Sequence, residues 1–266
     1  MHERKVAIVT GASGGIGRAT AEHLMKAGYV VYGISRHPQQ WGGLHCIAAD
    51  VCDETMIAQA MAEIYRAQGR IDLLVSNAGF GISGAIEQTE FSDAKRQLDV
   101  NFFGFFNCAK QVLPYMRVQG SGCIVAVSSV AGALAIPFQA FYSASKAAIN
   151  SFVLSLANEV RPFGIRVLAV MPGDVRTGFT AAREKGKIDE ASPYAERLER
   201  SVSGMERDEQ NGMTPDYVAK RICRAAHRRH PRPFYTIGGK YRLFTFLAKI
   251  LPAKLCNWVV GKLYAA

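Results

Sequence analysis

The sequence predicts an α/β protein built as one doubly wound parallel sheet, with a helical lid and a C-terminal helical extension. Two observations carry that prediction. Strand-like runs of Val, Ile and Leu alternate with helical patterns over most of the chain, and the runs are continuously apolar, as in strands covered on both faces. A glycine-rich turn, TGASGGIG at 10–17, follows the first run and opens the first helix.

In order, KVAIV (5–9) precedes the glycine turn and a helix through Ala27. YVVYGI (29–34) and LHCIAA (44–49) are the next strands, followed by a helix over about 54–68 and the strand IDLLVS (71–76). Two long helices, near 92–117 and 142–161, flank CIVAVS (123–128), and GIRVLAVM (164–171) runs into Pro172-Gly173. Right-handed crossovers place a ligand crevice at the carboxyl ends of such strands. Residues 176–214 interrupt the rhythm with charge and glycines, which predicts a partly helical substrate lid before a helix near Pro215. Residues 241–266 resemble two short amphipathic helices, the second opened by Pro252. The whole of 1–266 is expected to be one Rossmann-type domain.

Of 266 residues, 49% are apolar and 20% charged, enough for a sizeable core and ordinary for a globular protein. No apolar run reaches membrane-spanning length and MHERKVAIVT lacks a signal-peptide core, so a cytoplasmic protein is expected. Six cysteines without CxxC spacing are expected to be small buried hydrophobes in a reducing compartment. The net charge of +10 is localised: no acidic residue follows Asp216, whereas eleven Lys and Arg do. No recognition motif accompanies these bases, so no nucleic acid is expected. His227 and His230 in AHRRHPRP lack a nearby third ligand, and no metal is expected.

Glycines 11, 15 and 17 permit a tight turn, close approach of backbone to a pyrophosphate, and close helix packing. Tyr142 and Lys146 are four apart, so on a helix they share a face. A free phenol titrates near ~10, and a neighbouring ammonium is expected to lower that value and make a competent acid/base.

The Gly-x3-Gly-x-Gly spacing resembles the short-chain dehydrogenase/reductase family, and further marks follow in order: Asn77-Ala78-Gly79, Asn101, Ser129, Tyr142-Ser-Ala-Ser-Lys146 and Pro172-Gly173. The resemblance covers about residues 5–180, and its style is that of the hydroxysteroid/retinol dehydrogenase branch. Ser76 departs from the Asn common before the NAG triplet. The resemblance implies a nicotinamide-dependent oxidoreductase in which Tyr142 transfers the proton, Ser129 orients the carbonyl, Lys146 binds the nicotinamide ribose and Asn101 holds a relay water. It places the dinucleotide against Gly11, Ser13, Gly15, Ile16 and Gly17, its adenine near Asp50 and Val51, and its nicotinamide near Pro172, Gly173, Val175 and Thr177. Asn77 and Gly79 would support the adenosine side of the cleft. Ser35-Arg36 ends the second strand, and Arg where a 2′-hydroxyl-binding acid would stand favours NADP(H) over NAD(H); Ser13 withholds the second base many NADP-dependent relatives carry.

The resemblance assigns the substrate pocket to Ser129, Tyr142, Phe80, Ile82, Ala133, Leu134, Ile136, Phe138 and Phe179, an apolar set suited to a bulky lipophilic alcohol or ketone such as a hydroxysteroid. A 3-oxoacyl thioester or general carbonyl reductase is the alternative, and a catalytically silent cofactor-binding protein at a membrane surface is the alternative of another class. The family default is a homodimer through the two long helices. The basic extension is either a lid or dimer contact, or a peripheral contact with anionic lipid.

Overall fold

The computed structural model describes residues 4–186 and 192–264; parts of the predicted lid (187–191) and the end of the extension (265–266) lie outside the described residues. In chain order the strands are β1 (Val6–Thr10), β2 (Val30–Ser35), β3 (His45–Ala48), β4 (Leu73–Ser76), β5 (Ile82–Ser83), β6 (Gly122–Val127), β7 (Ile165–Pro172), β8 (Glu184–Lys185) and β9 (Phe234–Ile237). The helices are α1 (Gly15–Lys26), α2 (Glu54–Gln68), α3 (Phe91–Leu98), α4 (Gly104–Gln119), α5 (Ala140–Glu159), α6 (Ala195–Gln210), α7 (Pro215–Ala226), α8 (Gly239–Ile250) and α9 (Ala253–Tyr264).

Seven strands form one parallel sheet in the order β3-β2-β1-β4-β6-β7-β9, and β5 pairs with β8 in a small parallel ribbon. The central strands are buried on both faces, which is why their sequences run apolar without alternation. One face carries Ile8, Leu74, Ile124 and Ala169 against α2, α4 and α5; the other carries Val9, Val75, Val125 and Leu168 against α1 and α7. Strand order reverses between β1 and β4, so the crevice opens there, above the carboxyl ends of β1, β4, β6 and β7.

Local chemistry fixes the helix ends. The Asp53 side chain accepts the Met56 N–H at 3.0 Å to start α2, and Gly69 closes it at φ 69°. Thr214 accepts the Tyr217 N–H at 3.2 Å to start α7, with Pro215 as its first residue.

Two sequence expectations need correction. The helix expected over 92–117 is broken by a π turn at Asp99–Phe103 between α3 and α4. The extra residue in such a turn rotates the following side chains, and here it turns Asn101 into the protein. The cysteines are not uniformly buried: Cys108 and Cys123 are, Cys46, Cys223 and Cys256 are half-buried, and Cys52 is exposed on the turn before α2. Ile136 and Phe138 are half-buried beneath α6, against Leu198, Val202, Met205 and Tyr264 of α9. Both lid and extension are thus anchored to the segment after the Ser129 turn.

Candidate active site

The glycine turn is shaped by contact and not by flexibility. Gly11 and Gly15 hold φ 67° and 52°, and a Cβ on Gly17 would lie 2.2 Å from the Gly11 carbonyl oxygen. Asn77, just past β4, braces the turn by donating from Nδ2 to the Thr10 carbonyl at 3.1 Å, while its N–H and that of Ala78 donate to Thr10 Oγ1. Helix α1 has no side-chain cap and no acid in its first turn, unlike α2 and α7. Its N–H groups are therefore available to an anion, so the turn fits a dinucleotide pyrophosphate. Thr177 sits across the turn, its Cβ 3.3 Å from where a Gly15 Cβ would project. The segment after β7 thus closes over the same groove.

Ser129 leaves β6 in extended conformation and its hydroxyl accepts the Ala131 N–H at 3.1 Å, capping a short turn at Val130–Gly132. That turn presses on α5: a Cβ on Gly132 would stand 2.7 Å from the Lys146 carbonyl oxygen. The contact brings the Ser129 hydroxyl to the side of the Tyr142 phenol, whose proton affinity it lowers. One helical turn later Lys146 is 5% exposed, and its Nζ donates to the Val127 carbonyl at 2.9 Å and lies 5.6 Å from the Tyr142 ring centre. Asn101 completes the cluster from the π turn. Its Oδ1 accepts the Phe80 N–H at 3.0 Å and its Nδ2 donates to the Phe80 carbonyl and to Ser145 Oγ, both at 3.1 Å. Gly79 lies between these groups, since a Cβ there would be 3.0 Å from Asn101 Oδ1 and 3.7 Å from Lys146 Nζ.

Burial decides the proton affinities. It pushes the Tyr142 phenol up to about 12, with the Ser129 hydrogen bond pulling down, and pushes the Lys146 ammonium down to about 8. This corrects the expectation that Lys146 lowers Tyr142. Both groups are desolvated together, and Lys146 gives one of its N–H groups to Val127 while the phenol faces Ser129.

The other predicted positions fall around the crevice. Ser13 is exposed on the turn, Ile16 is half-buried at the start of α1, and Arg36 is exposed just beyond Ser35 at the end of β2. Asp50 Oδ1 accepts the Cys52 N–H at 2.9 Å, and buried Val51 fits where Gly104 leaves room. Pro172 ends β7, and Gly173 lies flush against the Tyr241 ring of α8, where any Cβ would clash. Val175 bridges to Met213. The Phe179 ring stands 5.8 Å from that of Tyr142 and covers Gly81. Phe80 lies under Arg96, Leu134 and Ala133 are at the rim, and Ile82 is buried in β5. Sequence reasoning missed Ser145, Gln97, Arg183 and Glu209. Gln97 holds the loop after Gly79 through the Ile82 N–H at 2.8 Å, and Arg183 pairs with Glu209. Ser145 stood inside the Tyr142–Lys146 motif without a role of its own, and Gln97, Arg183 and Glu209 belong to no spaced motif.

Gly17→Ala is expected to abolish dinucleotide binding, because its methyl collides with the Gly11 carbonyl while the sheet remains intact. Fluorescence titration with NADPH and NADH beside a far-UV circular dichroism spectrum checks this; wild-type affinity in the variant contradicts it.

Known proteins resemble the chain over most of its length. A family model described as short chain dehydrogenase matches residues 5–188. A 3-ketodihydrosphingosine reductase of Bacteroides thetaiotaomicron is 40% identical over 257 residues, 96% of this chain and 93% of that protein. Among solved structures, a short-chain dehydrogenase from Streptomyces avermitilis superposes with a TM-score of 0.86 at 32% identity, covering 98% of each chain. A structure of ElxO with NADP bound superposes at 0.76 with 26% identity, covering 90% of this chain and 99% of that one. With an intact Ser129–Tyr142–Lys146 cluster and a family model over most of its length, the chain belongs to the short-chain dehydrogenase family and is an oxidoreductase of carbonyl and alcohol groups.

Proposed function

We propose that this chain is an NADP(H)-dependent reductase of long-chain ketones of the 3-keto sphingoid-base type, working as a homodimer at the cytoplasmic face of an anionic membrane. The observation that carries the substrate class is the likeness to a 3-ketodihydrosphingosine reductase over almost the whole of both chains, lid and extension included. Such a ketone carries an alkyl chain on one side and amino and hydroxyl carbons on the other. The rim residues Ala133 and Leu134 offer apolar surface to the alkyl side. A hydroxysteroid, the bulky substrate expected from sequence, is the competitor in the same assay.

When bound, a nicotinamide cofactor supplies the hydride; the chain supplies the rest. Ser129 holds the carbonyl oxygen and Tyr142 donates its phenol proton to it. A phenol held near 12 stays protonated at neutrality, which suits reduction. Lys146, buried beside it, is placed to meet ribose hydroxyls, and Asn101 is fixed by three hydrogen bonds at the entry of the proton path.

Tyr142→Phe is expected to cut turnover by ~10²–10⁴ while cofactor binding persists, since only the acid is lost. In the wild type, kcat/KM for reduction should be flat below about pH 8 and fall above it as Lys146 loses its proton, whereas alcohol oxidation should rise with pH. An active Phe variant, or the reverse pH pattern, rejects the mechanism.

Support for NADP(H) is Arg36, exposed at the carboxyl end of β2 where a 2′-phosphate would be met. Arg36→Asp is expected to lower affinity for NADPH by roughly tenfold or more and to improve NADH relative to it. A wild-type preference for NADH counters the assignment.

The dimer reading is supported by an apolar groove of about 530 Å³ between α4 and α5, walled by Phe106, Leu113, Phe152, Leu156 and Phe163. Light scattering at micromolar concentration should give twice the chain mass; a monomer refutes the reading.

Membrane contact is supported by α8 and α9, which leave Leu243, Phe246, Ile250, Leu255, Trp258 and Leu263 exposed among Arg242, Lys249, Lys254 and Lys262. No helix among the described residues is long and apolar enough to cross a membrane, so the contact would be peripheral. Each base near an anionic surface adds up to ~1 kcal/mol. Co-sedimentation with phosphatidylserine vesicles is expected at low salt and should weaken at high salt; no binding at low salt disposes of the idea.

A further inference from the structure

One charged side chain in the cleft has more donors than the protein satisfies. Arg183 precedes β8, and its side chain is only 1% exposed. Its Nη2 is engaged by Glu209 near the end of α6, yet its Nε and Nη1 are buried and have no hydrogen-bond partner. A buried unsatisfied donor costs ~1–3 kcal/mol, and more on a charged group, so an arrangement that keeps two of them calls for a reason.

The position supplies one. Arg183 Nε lies 3.9 Å from where a Cβ on Gly81 would project, at a site bounded on its other side by the Phe179 ring at 3.0 Å. The guanidinium stands 5.7 Å from the centre of the Phe179 ring, which itself stands 5.8 Å from that of Tyr142. The free N–H groups therefore lie buried beside the catalytic cleft, next to a residue whose missing side chain leaves the backbone bare. Glu209 is held in place by a second donor, since Thr180 Oγ1 donates to its Oε2 at 2.6 Å. Arg183 and Glu209 neutralise each other, so the pair has no need of an ion. What it lacks is an acceptor oxygen for the guanidinium, and the carboxylate retains lone pairs for a cation's N–H.

We propose that Arg183 and Glu209 form the polar-head subsite of the substrate cleft, with Arg183 donating to a hydroxyl oxygen and Glu209 accepting from an ammonium, both close to the ketone that Tyr142 protonates. This rests on the substrate class proposed above and adds the residues that select it. The subsite distinguishes a ketone flanked by amino and hydroxyl carbons from an alkyl ketone of equal length. Without the head group the two guanidinium donors stay unpaired, the situation in which hydrogen-bonding sites discriminate most strongly.

The test compares three substrates of one chain length: a 2-amino-1-hydroxy-3-ketone, its N-acetyl derivative, and a plain 3-ketone. The wild type should prefer the first by kcat/KM. Arg183→Gln keeps a donor toward Glu209 but removes the charge and the free fork. It should reduce the preference for the head-group ketone over the plain one by roughly tenfold to a hundredfold, mainly through KM, with Arg183→Lys recovering part of the loss. Glu209→Gln keeps one acceptor oxygen for Arg183 and an amide N–H that the Thr180 hydroxyl can accept, but removes the negative charge. It should collapse the preference for the amine over its N-acetyl derivative, and this reading stands even where Arg183→Gln does not fold. Substitutions that slow all three ketones by one factor make the pair a structural pin of the lid and overturn the proposal. Failure of the substrate reading shows in the wild type itself, as no preference among the three; failure of the subsite shows only in the variants.

Discussion

The site depends on burying an ammonium group. Lys146 reaches the interior on α5, where water cannot solvate its charge, and such a transfer costs several kcal/mol unless the group is paired or hydrogen-bonded. The protein meets this with one carbonyl, that of Val127 at the end of β6, freed because the strand stops pairing there. The rest follows from keeping that contact. Gly132 must be bare so that the Ser129 turn can press on α5, and Gly79 must be bare so that Asn101 and Lys146 can meet. A helix, two loops and a π turn are thus arranged around one cation.

The same desolvation acts on both titratable groups of the site. Tyr142 and Lys146 move apart in proton affinity because each loses water, one phenol becoming a weaker acid and one ammonium a stronger one. Separation of two neighbouring titratable groups by their environment is a recurrent way of assigning proton roles at neutral pH. Here it leaves the phenol ready to give a proton and the amine close to exchanging one.

Around this fixed centre the cover is tied by ion pairs as well as by apolar packing. The segment from Thr177 to Lys185 meets α3 through Arg96–Glu184 and α6 through Lys185–Glu206, at 2.9 Å, and Arg183–Glu209. The first two pairs are exposed and each is worth little, so they position the segment without locking it. Helix α6 in turn rests on α9, so the extension, the lid and the loop after Ser129 share one small apolar cluster.

The alternation of continuous apolar runs with helical patterns was sufficient in the sequence to predict the parallel sheet, because strands buried on both faces have no other composition open to them. The glycine turn, Ser129, Tyr142 and Lys146 were legible for a related reason: each is fixed by spacing along the chain, either on one helix face or at the end of a strand. The π turn at Asp99–Phe103 was not legible, since one inserted residue leaves the helical pattern intact while rotating Asn101 inward. The proton affinity of Tyr142 was misjudged because proximity to a cation can be read from spacing and desolvation cannot. Arg183 and Glu209 lie 26 residues apart, and only the docking of α6 beside the segment before β8 made them neighbours. What the sequence determined is what repeats along the chain. What the tertiary structure decided is where water is excluded, because burial is a property of all the elements together.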